Sequence, residues 1–356
     1  MTADLTAGWT LAIDLGETRA VGAMRTEDGT ELVTVDGATS MSAGVYLDPA
    51  VGLLVGAEAA ARAAATPGFF EPSPRRRLQD ETVSLGGFDL PASELAAAVL
   101  ERIHDEACRV RGTPPAKVRL TYPAGWANSP KLGALGLAAV TAGIENVRFA
   151  PEPVAAAQHV ADTVGLAVGA RLAILDVSAG TLDCAVLENT WWGLVLVGTP
   201  GGLEPFSTSS DPAAAAHELA ATVERAGLTP DQLAGVHLTG DAATMPALAE
   251  AIESVLQVAP TPAADPAAAV ALGAARADDD VVTTLGSLSP ATRAAAMARN
   301  KAAGSAVIAS GAMARAAVGE EEPEGDIWWR DQGLVITLVL IGCGFFFALV
   351  SYVIGG

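Results

Sequence analysis

Two stretches of this chain repeat one plan. LAIDLGETRAVGAM (residues 11–24) and LAILDVSAGTLDCAVL (residues 172–187) each join two apolar runs through a small-residue turn, and an aspartate, Asp14 or Asp176, closes the first run. Short apolar runs bounded by turn residues read as buried strands. A single strand-ending aspartate that caps its own turn is a common structural device. Two copies imply more: two related half-domains, each offering one loop to a shared cleft. Small residues let backbone N–H groups approach phosphate oxygens closely, and Thr18 and Thr181 add hydroxyl donors. A carboxylate at each strand tip can hold the water shell of a Mg²⁺ ion.

The chain has 356 residues, half of them hydrophobic, enough for a two-domain or bilobal body with a sizeable core. Its formal charge of −20 and its three lysines, Lys117, Lys131 and Lys301, argue against a nucleic-acid partner, which needs clustered cations to neutralise phosphates. Cys108, Cys184 and Cys343 are far apart and have no metal or redox spacing. The four histidines, His104, His159, His217 and His237, are isolated, and Trp126 and the pair Trp191–Trp192 read as packing residues. Met1–Thr10 lacks the features of a secretory signal.

Strands and turns alternate through residues 8–56, with turns at Gly16, Asp28–Gly29 and Asp36–Gly37. Residues 57–66 and 92–111 carry helical periodicity. Strand and helix then alternate: 117–123 strand, SPKLGALGLAAVTAG helix, VRFAPEP strand and turn, VAAAQHVADTVGL helix. Beyond the second hairpin and a strand through Trp191 and Trp192 to Val197 come helix 217–228, strand 234–240 and helix 245–256. From residue 278 to 332 the composition turns Ala-rich and acidic, as in a linker. Residues 333–355 are 23 residues without a charge, long enough to cross a hydrocarbon core of about 30 Å. The sequence therefore predicts a C-terminal tail anchor, with Trp328, Trp329 and Arg330 at the interface and the body at the cytoplasmic face of the cell membrane.

Five collinear segments resemble the actin and sugar-kinase superfamily of ATPases, and within it the nucleotide-binding domain of the 70 kDa heat-shock chaperones. IDLGETRA resembles the first phosphate loop. Residues 54–78, ending in RRRL, are similar to the stretch leading to the family's catalytic lysine. LTYPAGWANSP with GIENVRFAPEPVAAAQHVA matches the connection between halves. LDVSAGTLDCAVL resembles the second phosphate loop, and LTGDAATMPAL with ADPAAAVALGAA the adenosine loop and closing helix. The resemblance implies an α/β, actin-like ATPase fold of two duplicated half-domains, residues 1–162 and 163–277. It implies ATP and Mg²⁺ as ligands. Asp14 and Asp176 would be Mg²⁺ ligands; Gly16, Glu17, Thr18, Gly180 and Thr181 would line the phosphates; Gly240 and Asp241 would lie by the adenosine. Glu152 and Asp176 would be catalytic, and Arg75 stands where the family keeps its lysine.

Several positions depart from that pattern. Glu17 replaces a phosphate-contacting threonine, and a carboxylate about 4 Å from a phosphate charge costs on the order of 1 kcal/mol in water and more in a cleft. Ser178 and Ala179 replace glycines, Asp241 replaces another, and a guanidinium at Arg75 does not place charge as an ammonium does. Only 58 residues separate Thr181 from Gly240, so one peripheral subdomain is expected to be reduced or missing. The sequence thus predicts a membrane-anchored, chaperone-like ATP-binding protein with weak or lost turnover and an unidentified protein partner. The alternative is a pseudo-ATPase scaffold or actin-like protein that meets membrane partners without turning over nucleotide. A small-molecule kinase is disfavoured, since it needs a second substrate pocket with its own base.

Overall fold

The fold is described from a computed structural model over residues 8–277, apart from residue 128 and residues 207–210. It is a mixed α/β architecture, consistent with an ATPase-like fold. In the first half, β1 (Thr10–Leu15) and β2 (Arg19–Thr26) form the acid-tipped hairpin, and β3 (Gly29–Leu32) extends it. A short strand β4 (Met41–Ser42) also pairs with β2. Strands β5 (Val45–Asp48), β6 (Gly52–Val55) and β7 (Phe70–Glu71) make a small side sheet, with helix α1 (Gly56–Ala63) between the last two. The one-turn helix α2 (Pro74–Arg77) is followed by a hairpin of β8 (Thr82–Leu85) and β9 (Phe88–Pro91). Helix α3 (Ala92–Arg111) then returns the chain to β10 (Lys117–Tyr122), parallel to β1, and α4 (Pro130–Thr141) leads to β11 (Val147–Pro151), parallel to β10.

Helix α5 (Glu152–Val164) joins the halves, and the plan is then repeated. Strands β12 (Arg171–Ser178), β13 (Gly180–Thr190) and β14 (Gly193–Phe206) form an antiparallel meander. Helix α6 (Pro212–Arg225) leads to β15 (Gly235–Thr239), parallel to β12, and α7 (Pro246–Leu256) leads to β16 (Thr261–Pro262) and α8 (Ala269–Arg276). The sheet orders are β11-β10-β1-β2-β3 and β16-β15-β12-β13-β14, so each hairpin holds the same place in its sheet.

Burial explains why these segments take these forms. Strands β1 and β12 are apolar on both faces because helices cover both, and their central residues are almost wholly inaccessible. Helix α3 buries Leu95, Val99, Leu100 and Ile103 along one stripe, while Glu101, Asp105, Arg109 and Arg111 are exposed and Glu94 is half-buried. It ends at Gly112 in the left-handed conformation, φ 72°. Truncating any of those four side chains to Ala removes contacts worth about 2–5 kcal/mol. Between the two sheets lie α5 and α8, in one apolar layer made by Ala155, Ala156 and Val160 of α5 and Val270, Ala271 and Ala274 of α8. Their approach is so close that a Cβ on Gly273 would collide with the carbonyl of Ala155. Helix α5 packs on β12 and β13 of the second sheet, and α8 on β1 and β2 of the first.

The expected location in a cell membrane with a cytoplasmic body is overturned: among the described residues no helix is long and apolar enough to cross a membrane. The longest, α3, has 20 residues but carries charge along its length, from Glu94 through Arg102 and Asp105 to Arg111. Residues 333–355, on which that expectation rested, and the linker of 278–332 lie outside the described residues.

Candidate functional site

The two hairpins meet at their turns, and the sheet register places their aspartates alike. Thr121 of β10 donates a 2.6 Å hydrogen bond from Oγ1 to Asp14, and Thr239 of β15 donates one of the same length to Asp176. In each half the neighbouring parallel strand thus supplies the hydroxyl that orients the carboxylate. Together with Gly16, Glu17, Thr18, Arg19, Ser178, Ala179, Gly240 and Asp241, these two aspartates line one cleft. Nine of the residues singled out from the sequence are therefore brought together: Asp14, Gly16, Glu17, Thr18, Asp176, Ser178, Ala179, Gly240 and Asp241.

The rest are placed differently. Thr181 is buried and lines a separate cavity of about 840 Å³ with Asp183, Trp126, Lys131 and Glu204, so the two threonines do not converge. Arg75 and Glu152 lie buried, each 3% exposed, and form an ion pair at 2.9 Å. The arginine also donates to the Leu15 carbonyl at 3.0 Å, and its guanidinium stands 5.3 Å from the Trp126 ring centroid. Trp126 is in turn flanked by Lys131, whose Nζ is 5.2 Å from the same ring and 2.8 Å from Glu204.

Four participants were not found from the sequence. Asp183 accepts a 2.9 Å hydrogen bond from the Ala124 amide and is the cross-strand partner of Asp176; the sequence signal was there, in the second aspartate of LDVSAGTLDC. Thr121 and Thr239 could be found only by knowing the parallel register. Arg76 is the most consequential. It pairs with the buried carboxylate of Glu17 across 59 residues of sequence, and no local pattern announces that contact.

Electrostatics in the cluster are lopsided. Arg75 faces Glu152, Asp14, Asp183 and Glu17, and these carboxylates raise its pKa against the effect of burial. Burial pushes Asp14 above its ordinary range against the Thr121 hydrogen bond, and pushes Glu152 well up against the pull of Arg75. It raises Asp176 to about 7 despite the Thr239 hydrogen bond, and Asp183 to about 6 despite Arg75. The folded protein holds these protons more tightly than the unfolded chain. Their stabilising contribution is therefore full below about pH 4 and is lost as pH rises through about 6 to 7. Asp176→Asn keeps an acceptor for Thr239 and removes the charge. It is expected to raise the melting temperature at pH 8, through a gain in stability on the order of 2–4 kcal/mol at about 1.4 kcal/mol per tenfold change in proton affinity. At pH 4 it should change little. Thermal melts at the two pH values check this, and an equal shift at both would refute the electrostatic account.

The donor chemistry of Asp14 and Asp176 suits a hydrated divalent cation, which favours carboxylate oxygens and keeps its waters. A triphosphate does not fit. Glu17 turns its carboxylate into the space between the two turns and meets Arg76 there. Gly180, at φ +95°, lies so close that a Cβ at this position would come within 2.6 Å of Glu17 Oε2. At the mouth, Arg19 of the first hairpin pairs with Asp241 of the second half. The remaining cavity measures about 30 Å³, room for a water or two and not for a phosphate chain. Each arginine that could meet a phosphate is already neutralised by a carboxylate of the chain.

No protein-family model matches this chain. It is similar to the chaperone protein DnaK of Elusimicrobium minutum (strain Pei191), 32% identical over 160 residues, which is 44% of this chain and 24% of the relative. It is also similar to the chaperone protein DnaK of Metamycoplasma hominis, 31% identical over 108 residues, 30% of this chain and 18% of the relative. The chain thus spans about a quarter of the length of the first relative and less of the second. These similarities support a nucleotide-binding domain of the heat-shock 70 kDa type.

Proposed function

We propose that this protein is a chaperone-like member of the ATP-binding fold whose cleft is held shut by its own side chains, so that ATP turnover is weak or lost and the body works through protein contacts. The observation that carries this reading is the Glu17 carboxylate, paired with Arg76 against Gly180 where a phosphate chain would run. Parting the pair is costly on the Glu17 side, whose buried carboxylate would be left uncompensated, while Arg76 is more than half exposed to water. The short passage from β14 at Phe206 to α6 at Pro212 fits a reduced peripheral subdomain.

A second reading has support of its own. The matched pairs Asp14–Thr121 and Asp176–Thr239 and the ion pair Arg75–Glu152 keep the parts that a Mg-nucleotide site uses. On that reading ATP with Mg²⁺ binds once the latch opens, and the protein is a nucleotide-responsive chaperone or assembly factor. Calorimetric titration of Mg-ATP into the full chain separates the two. The expected result is no saturable heat at millimolar nucleotide. Micromolar binding that Asp176→Ala abolishes would establish the second reading.

A further inference from the structure

The turn between β13 and β14 presents Trp191 and Trp192 to solvent, 83% and 89% exposed, rather than packing them as the sequence suggested. Strand β14 follows directly. Among the described residues it pairs with β13 alone and ends the sheet. Its first residues, Gly193–Val197, run regularly until Gly198 turns into the left-handed region at φ +74°. Within this stretch Leu194 and Leu196 face one side of the sheet and Val195 and Val197 the other. Apolar residues on both faces call for cover above and below the sheet, which this edge strand has only in part. Val195 is 51% exposed. Edge strands are ordinarily guarded by charge, and here no charged residue occurs between Glu188 and Glu204.

We propose that β14 is an interface for a second copy of this chain, the two strands pairing antiparallel about a two-fold axis so that the sheets join and each Trp191–Trp192 pair folds over the opposite strand. Three observations select a second copy over another partner. An open backbone edge is complementary to itself, and a two-fold axis lets one patch serve both sides. The molecule carries a charge of −20, which opposes self-association at long range, so a contact between copies is confined to a charge-free segment such as this one and strengthens as salt is added. No side chain in the segment offers a charge by which a basic or acidic partner would be chosen. The area is also adequate. At about 150–250 Å² per aromatic side chain, four tryptophans supply roughly 600–1,000 Å². Strand pairing with Val195 and Leu196 then brings the total to the roughly 1,200 Å² at which specific interfaces begin.

Sedimentation equilibrium of the full chain, from micromolar to hundreds of micromolar, is expected to show a monomer–dimer equilibrium. Val195→Lys, and separately Trp191→Ala with Trp192→Ala, should weaken it at least about tenfold, because central aromatics and edge charge dominate such contacts. A monomer throughout, or a dimer indifferent to both variants, would overturn the proposal. Should a variant fail to fold, amide hydrogen exchange on the unaltered protein decides. Protection at residues 193–197 that rises with concentration supports the interface, and protection independent of concentration rules it out.

Discussion

Exchanging Glu17 for Thr together with Asp241 for Gly is expected to turn a cleft closed to millimolar Mg-ATP into one that binds it, with affinity raised at least about tenfold. At an effective dielectric of about 20, one unit charge 4 Å from a phosphate contributes about 4 kcal/mol. The substitution removes two such charges and frees Arg76 and Arg19, their present partners, to meet phosphate oxygens. The two effects act in the same direction. The tenfold figure is a floor, because the protein must still reorganise around the nucleotide. Calorimetry on the double variant and on each single variant measures the gain. Glu17→Thr is expected to supply most of it, since Glu17 is buried and Arg19–Asp241 is a half-exposed pair at the rim. An affinity unchanged from that of the parent would show that Glu17 and Asp241 do not close the cleft.

The second large effect belongs to Arg75. It is the cation at the centre of a group of buried carboxylates, so Arg75→Met leaves Glu152, Asp14 and Asp183 without their shared counter-charge. It also loses the bond to the Leu15 carbonyl and the contact with Trp126. Breaking a buried pair from one side costs about 3–5 kcal/mol, a large part of the stability of an ordinary domain. Adding Glu152→Gln to Arg75→Met removes the stranded charge and is expected to restore more than half of the loss. Urea unfolding at pH 7 of both single variants and the double gives the coupling. A loss below about 1 kcal/mol for Arg75→Met would show that the arginine is not the counter-charge of the cluster.

Much of the core was legible because burial on both faces writes itself as apolar runs. The hairpins at Asp14 and Asp176, helix α3 and the alternation from β10 to α5 all follow from period and turn residues. What escaped did so for physical reasons. Helix α2 is one turn long and reads PRRR, a polar patch with no period, although Arg75 within it is buried. The β8–β9 hairpin had an available signal, the Gly86–Gly87 turn between alternating runs. Strand β14 was read only to Val197 because Gly198, Pro200, Gly201 and Gly202 look like loop, yet it pairs on to Phe206.

The site divides along the same line. Residues fixed by the hairpin itself, such as Asp14, Asp176, Gly16 and Thr18, line one cleft together. Thr181 does not: it stands one place further along its hairpin than Thr18, within β13 and paired with Ser178, and it lines the other cavity. The membrane location expected from residues 333–355 finds no support among the described residues. Pairings over long sequence separation, Glu17 with Arg76 above all, are set by how α2 is carried over the first hairpin. Only the folded chain shows that.

The placing of α5 and α8 makes the two halves a single inheritance. The helix that closes the first half covers the second sheet, and the helix that closes the second half covers the first. Neither half carries a complete lid for its own β-sheet. This is how two half-length chains would embrace, each lending an arm to the other, and the linker between Val164 and Arg171 ties that embrace into one molecule. Damage in one half is therefore read out in the other: an enlarged side chain at Gly273 pushes on α5, and through α5 on the strands that carry Asp176 and Asp183.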